Sequence, residues 1–168
     1  MRPKLVAMLD SIGVNRLLGL QSTASLWDGD ARLAHFTSVL RFPVFIDGEN
    51  YSGTPSMFST PLLSEQLTGF VAQAATLRQA IFVPLGLTVS RAVEFVAERS
   101  GLDRNRVLVG LPHPSGANAE RIAFFLGRKA RYALSAKVAP ERLIAARTEL
   151  EAKIAMRAAE HVERAQKA

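Results

Sequence analysis

The sequence predicts an α/β fold, a three-layer α/β/α sandwich around a short, mainly parallel sheet whose first strand is missing. Three observations predict it. Short apolar runs alternate with longer stripes of helical period, the pattern of β-α-β units. Pro or Gly stands near most junctions. The 168 residues, 48% of them hydrophobic and 21% charged, suit one soluble domain with a sizeable core.

Leu5, Met8, Leu9 and Ile12, then Leu17 and Leu18, form a helical stripe over Lys4–Leu18 that Gly13 breaks. Gln21–Asp30 is polar and turn-like, with Trp27 alone in it. His35–Ile46 is rich in β-branched and aromatic residues and reads as a strand leading into an extended loop. Pro43 bars that position from the middle of a ladder. Asp47–Pro55 is a turn-rich loop with the makings of a small hairpin.

Thr60 and Pro61 open the next helix as cap and first-turn proline, with Leu62, Leu63, Leu67, Phe70, Val71 and Ala74 as its stripe. Ile81–Leu85 is a short buried strand stopped by Gly86. Thr88–Ser100 is a helix with Val89, Ala92, Val93 and Val96 inward, closed by Gly101. Val107–Leu111 is the last strand, and the helix from Ala119 uses Ile122, Phe125 and Leu126 with Asn118 as its N-cap. Pro140 starts a long amphipathic helix to about Gln166, lined by Leu143, Leu150 and Ile154. The expected division is an α/β domain over 1–135 and a C-terminal amphipathic helix over 136–168. That helix is too short for a coiled coil but is a candidate for self-association.

Composition excludes several classes. With no Cys, neither a disulfide framework nor a thiolate metal cluster is available. No apolar run approaches the ~20 residues of a membrane span. Met1-Arg2-Pro3-Lys4 does not start a signal peptide, so the expected location is the cytoplasm. The net charge of +6 suits a polyanionic partner. Between Arg99 and Lys137 the bases are Arg99, Arg104, Arg106, Arg121, Arg128, Lys129, Arg131 and Lys137, opposed only by Asp103 and Glu120. Taken alone, such an excess is slightly better explained by a solvated surface. Beside a turn that favours phosphate, nucleic-acid binding explains it better.

That turn is Leu111-Pro112-His113-Pro114-Ser115-Gly116-Ala117-Asn118. It places an imidazole, a hydroxyl and free backbone N–H groups where a strand gives way to a helix, a position that binds ligands in α/β sheets and anions at helix starts. A His between two prolines is also compatible with a plain turn, and His35 and His161 are assigned to that plain class. Phe42, Phe45 and Tyr51 suit either stacking on a base or covering a sheet edge. Asp47 and Glu49 read as a solvated turn, with replacement of a water-activating group as the alternative.

Leu111–Gly116 resembles the second active-site motif of the uracil-DNA glycosylase superfamily, a His- or Asn-Pro-Ser turn after the last strand. Phe36–Arg41 resembles that family's second strand, and Ile81–Gly86 its third, which typically ends in Leu-Gly before a helix. The Pro61 helix lies between them, and the spacing covers about Leu5 to Arg131. The resemblance implies a DNA-repair hydrolase, without cofactor, that cleaves the N-glycosidic bond of uracil or another deaminated or damaged base in DNA.

It assigns His113 as the catalytic donor to the departing base. Ser115, Gly116 and Arg121 become phosphate contacts, and Ala117 and Asn118 border the groove of a flipped nucleotide. The family's first motif, a Gly/Pro loop with an Asp or Asn that handles water, has no counterpart before Lys4, so the implied domain is truncated at its N-terminus, has a mis-assigned start, or descends from one that lost this loop. Branches that hold an iron–sulfur cluster are excluded by the lack of Cys. The base-reading Asn of the second strand falls at Ser38 or its neighbour Thr37, and a hydroxyl lacks the paired donor and acceptor of an amide. Two other readings stand beside this one. The first is a catalytically incomplete DNA-binding remnant of the same fold. The second is an α/β domain that binds a small phosphorylated ligand at the same turn.

Overall fold

Helix dominates the computed structural model of this chain, which describes residues 1–166, with side chains through Glu160. Helical residues make up 56% of the chain, and the sheet is a single antiparallel pair. The expected α/β/α sandwich with a parallel sheet is therefore wrong. Each predicted strand fails for its own reason. Of His35–Ile46, only Phe45–Ile46 (β1) is a strand, and most of the run is exposed and irregular. Ile81–Leu85 pairs in parallel with the last run at one bridge, Phe82 with Val107, where the Phe82 N–H donates to the Arg106 carbonyl at 2.8 Å. Pro84 then removes a donor from the segment. In Val107–Leu111, Gly110 turns the backbone to φ +109°, out of strand conformation. These runs are buried or half-buried without a ladder, and apolarity alone does not distinguish the two outcomes.

The chain forms two compact units. The first comprises Met1–His35 and Leu108–Ala168. Its helices are α1 (Arg2–Ser11), α2 (Val14–Leu17), α5 (Ala119–Phe125) and α6 (Pro140–Gln166). Gly13, at φ +88°, makes the break between α1 and α2 that the sequence marks. Met8, Ile12, Leu108, Phe125 and Leu150 are its most buried large side chains. Asp10 ties the Thr23–Trp27 turn to α1, accepting from the Thr23 N–H at 2.8 Å and from the hydroxyls of Thr23 and Ser22 at 2.7 Å. The long helix α6 packs on α5 and α2, with Leu150 and Ile154 inward, as their spacing requires. It carries i,i+4 ion pairs, Arg147–Glu151 and Glu149–Lys153, both at 2.8 Å, and Arg147 also donates to the Phe125 carbonyl at 2.6 Å.

The second unit is Phe36–Val107. It begins with a hairpin of β1 and β2 (Glu49–Asn50), in register Phe45 with Asn50 and Ile46 with Glu49. Asp47 (φ +50°) and Gly48 (φ +82°) form the two-residue connection, the residue pair that this turn geometry favours. Helices α3 (Pro61–Thr76) and α4 (Leu87–Ser100) pack together. Their buried residues, Leu63, Leu67, Phe70 and Ala74 on one, Ala92, Val93, Val96 and Ala97 on the other, recur every three or four positions. Gly101 ends α4 in the left-handed conformation. Among the described residues, no helix is long and apolar enough to cross a membrane.

Candidate functional site

The bend after Gly110 is built from the first unit alone. A Cβ on Gly110 would lie 2.7 Å from that of Ala146 on α6, so only glycine lets the chain pass that close. Leu111, Pro112 and Pro114 are buried, while His113 between the prolines is half-exposed. Two anchored rings thus hold the backbone on either side of an imidazole that reaches solvent. No hydrogen bond within the described protein uses that imidazole.

Ser115 follows in extended conformation and leads into a short 3₁₀ turn, Gly116–Asn118, before α5. Asn118 does not cap α5 through its side chain, as the sequence predicts. Instead its amide donates to the Ser115 hydroxyl at 3.1 Å, and its carbonyl oxygen accepts from the Arg121 guanidinium at 2.9 Å. Arg121 also donates to the Lys137 carbonyl at 2.7 Å. The predicted residues Ser115, Asn118 and Arg121 are therefore one connected chain of polar groups, with Gly116 and Ala117 exposed within it. At seven residues, behind a 3₁₀ turn, α5 is too short to act as a strong helix dipole, so attraction for an anion falls to the cations.

Lys4, which the sequence reading passes over, donates to the Ser115 carbonyl at 3.4 Å. The available signal was helical phase: Lys4 lies one turn before the fully buried Met8, on the face of α1 that packs inward. Glu120 faces another direction. It accepts from Lys129 at 2.8 Å, from the Ser135 hydroxyl at 2.6 Å and from the Ser135 N–H at 2.9 Å. Lys129 first, then these two donors, pull its carboxyl down to about 2. Much of the basic stretch is likewise engaged. Arg131 pairs with Glu141, and in the second unit Arg104 pairs with Glu98 while Arg99 stacks over Phe95 at 3.5 Å.

The expected base-reading residues Thr37 and Ser38 belong to the second unit, on an exposed irregular segment, not on a strand. Thr37 contacts the Gln73 amide oxygen at 3.2 Å. Phe42 and Phe45 are 62% and 61% exposed, and the Tyr51 hydroxyl donates to the Pro55 carbonyl at 2.6 Å. Asp47 and Glu49 stand exposed at the hairpin tip. The same unit has a groove of about 390 Å³ between α3 and α4, lined by Pro61, Ser64, Thr68, Phe95 and Arg99 among others. It contains none of the predicted site residues. The side chain of His161 lies outside the described residues.

No protein-family model matches the chain, and no solved structure matches it. It is 36% identical over 132 residues to the uncharacterized protein YoxB of Bacillus subtilis (strain 168). The match takes in 77% of this chain and 52% of YoxB, so the chain spans about half the length of that relative.

Proposed function

We propose that this protein binds DNA through the 112–121 bend and hydrolyses the N-glycosidic bond of uracil or another deaminated or damaged base, as its resemblance to the uracil-DNA glycosylase superfamily implies. The observation that carries this reading is His113, a half-exposed imidazole without a hydrogen-bond partner among the described residues, presented between buried prolines beside the Ser115–Asn118–Arg121 chain. The reading rests on this bend and the sequence resemblance, not on the predicted sandwich. Breaking the bond leaves negative charge on the departing base. A donor aimed at the base oxygen stabilises that charge as it develops, and losing one such donor costs ~3 kcal/mol, about a hundredfold in rate. In this reading Ser115 and Arg121 hold the backbone of the flipped nucleotide, and Gly116 and Ala117 allow close approach. Self-association through α6 would use Ile144 and Met156, its exposed large apolar side chains among the described residues.

One observation favours a second reading, DNA binding without hydrolysis. Glu120, the carboxylate on the bend's own helix, is held by Lys129 and Ser135, and a group that titrates near 2 is a poor base for water. A uracil-containing duplex, assayed for alkali-labile sites and for binding by fluorescence anisotropy, separates the two. Base release that disappears in His113→Ala supports the glycosylase. Salt-sensitive binding without release supports the second reading, and absence of both rejects both.

A further inference from the structure

We infer that Lys4 and Arg121 form a phosphate clamp across the Gly116–Asn118 turn, with Lys4 as a direct phosphate contact. The inference rests on the DNA-binding reading above for the source of the phosphate. The two cations meet the turn at its two ends. Lys4 reaches the Ser115 carbonyl and Arg121 the Asn118 side chain, and the exposed Gly116 and Ala117 lie between these anchors in the chain.

Both donate to residues that frame the turn, and neither holds a carboxylate among the described residues, a lack they share with Arg16, Arg32, Arg128 and Arg142 of the same unit. Lys129, Arg131 and Arg147 of the same unit each hold a carboxylate. Among the described residues, none pairs with Lys4 or Arg121. Local chemistry explains why. The one carboxylate of α1, Asp10, is taken up by Ser22 and Thr23, and that of α5, Glu120, by Lys129 and Ser135. Both cations are instead held by neutral oxygens, which orient a charge without cancelling it. An ammonium has three donors, and the single contact from Lys4, at 3.4 Å, is at the long end for a hydrogen bond. Arg121 spends two of its five donors, at 2.9 and 2.7 Å, and these fix its plane. The remaining donors suit a phosphate oxyanion, either a DNA phosphodiester or a free phosphate.

The test measures duplex affinity against salt for wild type, Lys4→Met, Lys4→Arg and Arg121→Gln. Lys4→Met keeps the aliphatic stem and removes the charge. Each phosphate contact contributes ~0.9 to the slope of log K against log salt, so Lys4→Met and Arg121→Gln are each expected to lose about that much. Lys4→Arg is expected to retain it. Acetylation footprinting of the wild-type protein is a second readout, with DNA expected to shield Lys4. A wild-type slope in Lys4→Met, or Lys4 equally reactive with and without DNA, overturns the clamp while leaving DNA binding in place. If duplex does not bind but inorganic phosphate raises the melting temperature in a Lys4-dependent way, the clamp stands and the DNA reading falls. If neither ligand binds, both fall.

Discussion

His113 and Glu120 lie seven positions apart and have opposite fates. The first is half-exposed, with no hydrogen-bond partner among the described residues, and the second is held by three donors. Replacing His113 with Ala removes no internal bond, so the fold should keep its melting temperature. If the glycosylase reading holds, base release should fall about a hundredfold or more, measured as single-turnover cleavage. Glu120 makes a prediction about pH. Its carboxyl is lowered from 4.5 to about 2 in the folded chain. A depressed carboxylate stabilises the fold above its unfolded value, and that contribution disappears as pH falls from about 4.5 toward 2. Urea midpoints measured across this window should fall more steeply for wild type than for Glu120→Gln.

At the level of elements, the close pass of Gly110 against α6 determines the path of the bend. Gly110→Ala forces a side chain into φ +109° and onto Ala146. Backbone strain of this kind costs roughly 1–3 kcal/mol, before the contact is counted. Ala146→Gly in the same chain should recover the steric part and leave the backbone part, read as denaturation midpoints of the single and double variants. In the second unit, Leu67 on α3 is 1% exposed, and Leu67→Ala should cost about 2–5 kcal/mol. Leu62, one of the six residues assigned to the same stripe, is 70% exposed, so its truncation should cost little. The helices were legible because their period is written locally. Leu63, Leu67, Phe70 and Ala74 recur at helical spacing, and Gly101 stops α4 where a left-handed residue is needed. The strands were not, because Ile81–Leu85 and Val107–Leu111 satisfy apolarity whether or not a ladder forms, and here pairing stops at Phe82 and Val107.

Over the whole molecule, the net charge of +6 makes any DNA affinity a salt-dependent quantity. With the two contacts of Lys4 and Arg121, affinity should fall roughly twelvefold between about 50 and 200 mM monovalent salt. Anisotropy titrations check this, and a flat response counts against DNA as the partner. Charge and its excess around the bend were readable from composition, as were the helical stripes, the Asp47–Gly48 hairpin and the proline-framed His113. All of these depend on residues close in the chain. Which apolar runs would pair, which arginines would be spent on acids, and that Lys4 would reach Ser115 from 111 residues away depended on the folded chain. Those outcomes turn on partners that no local window contains, and a short apolar run or a lone lysine is silent about what it will meet.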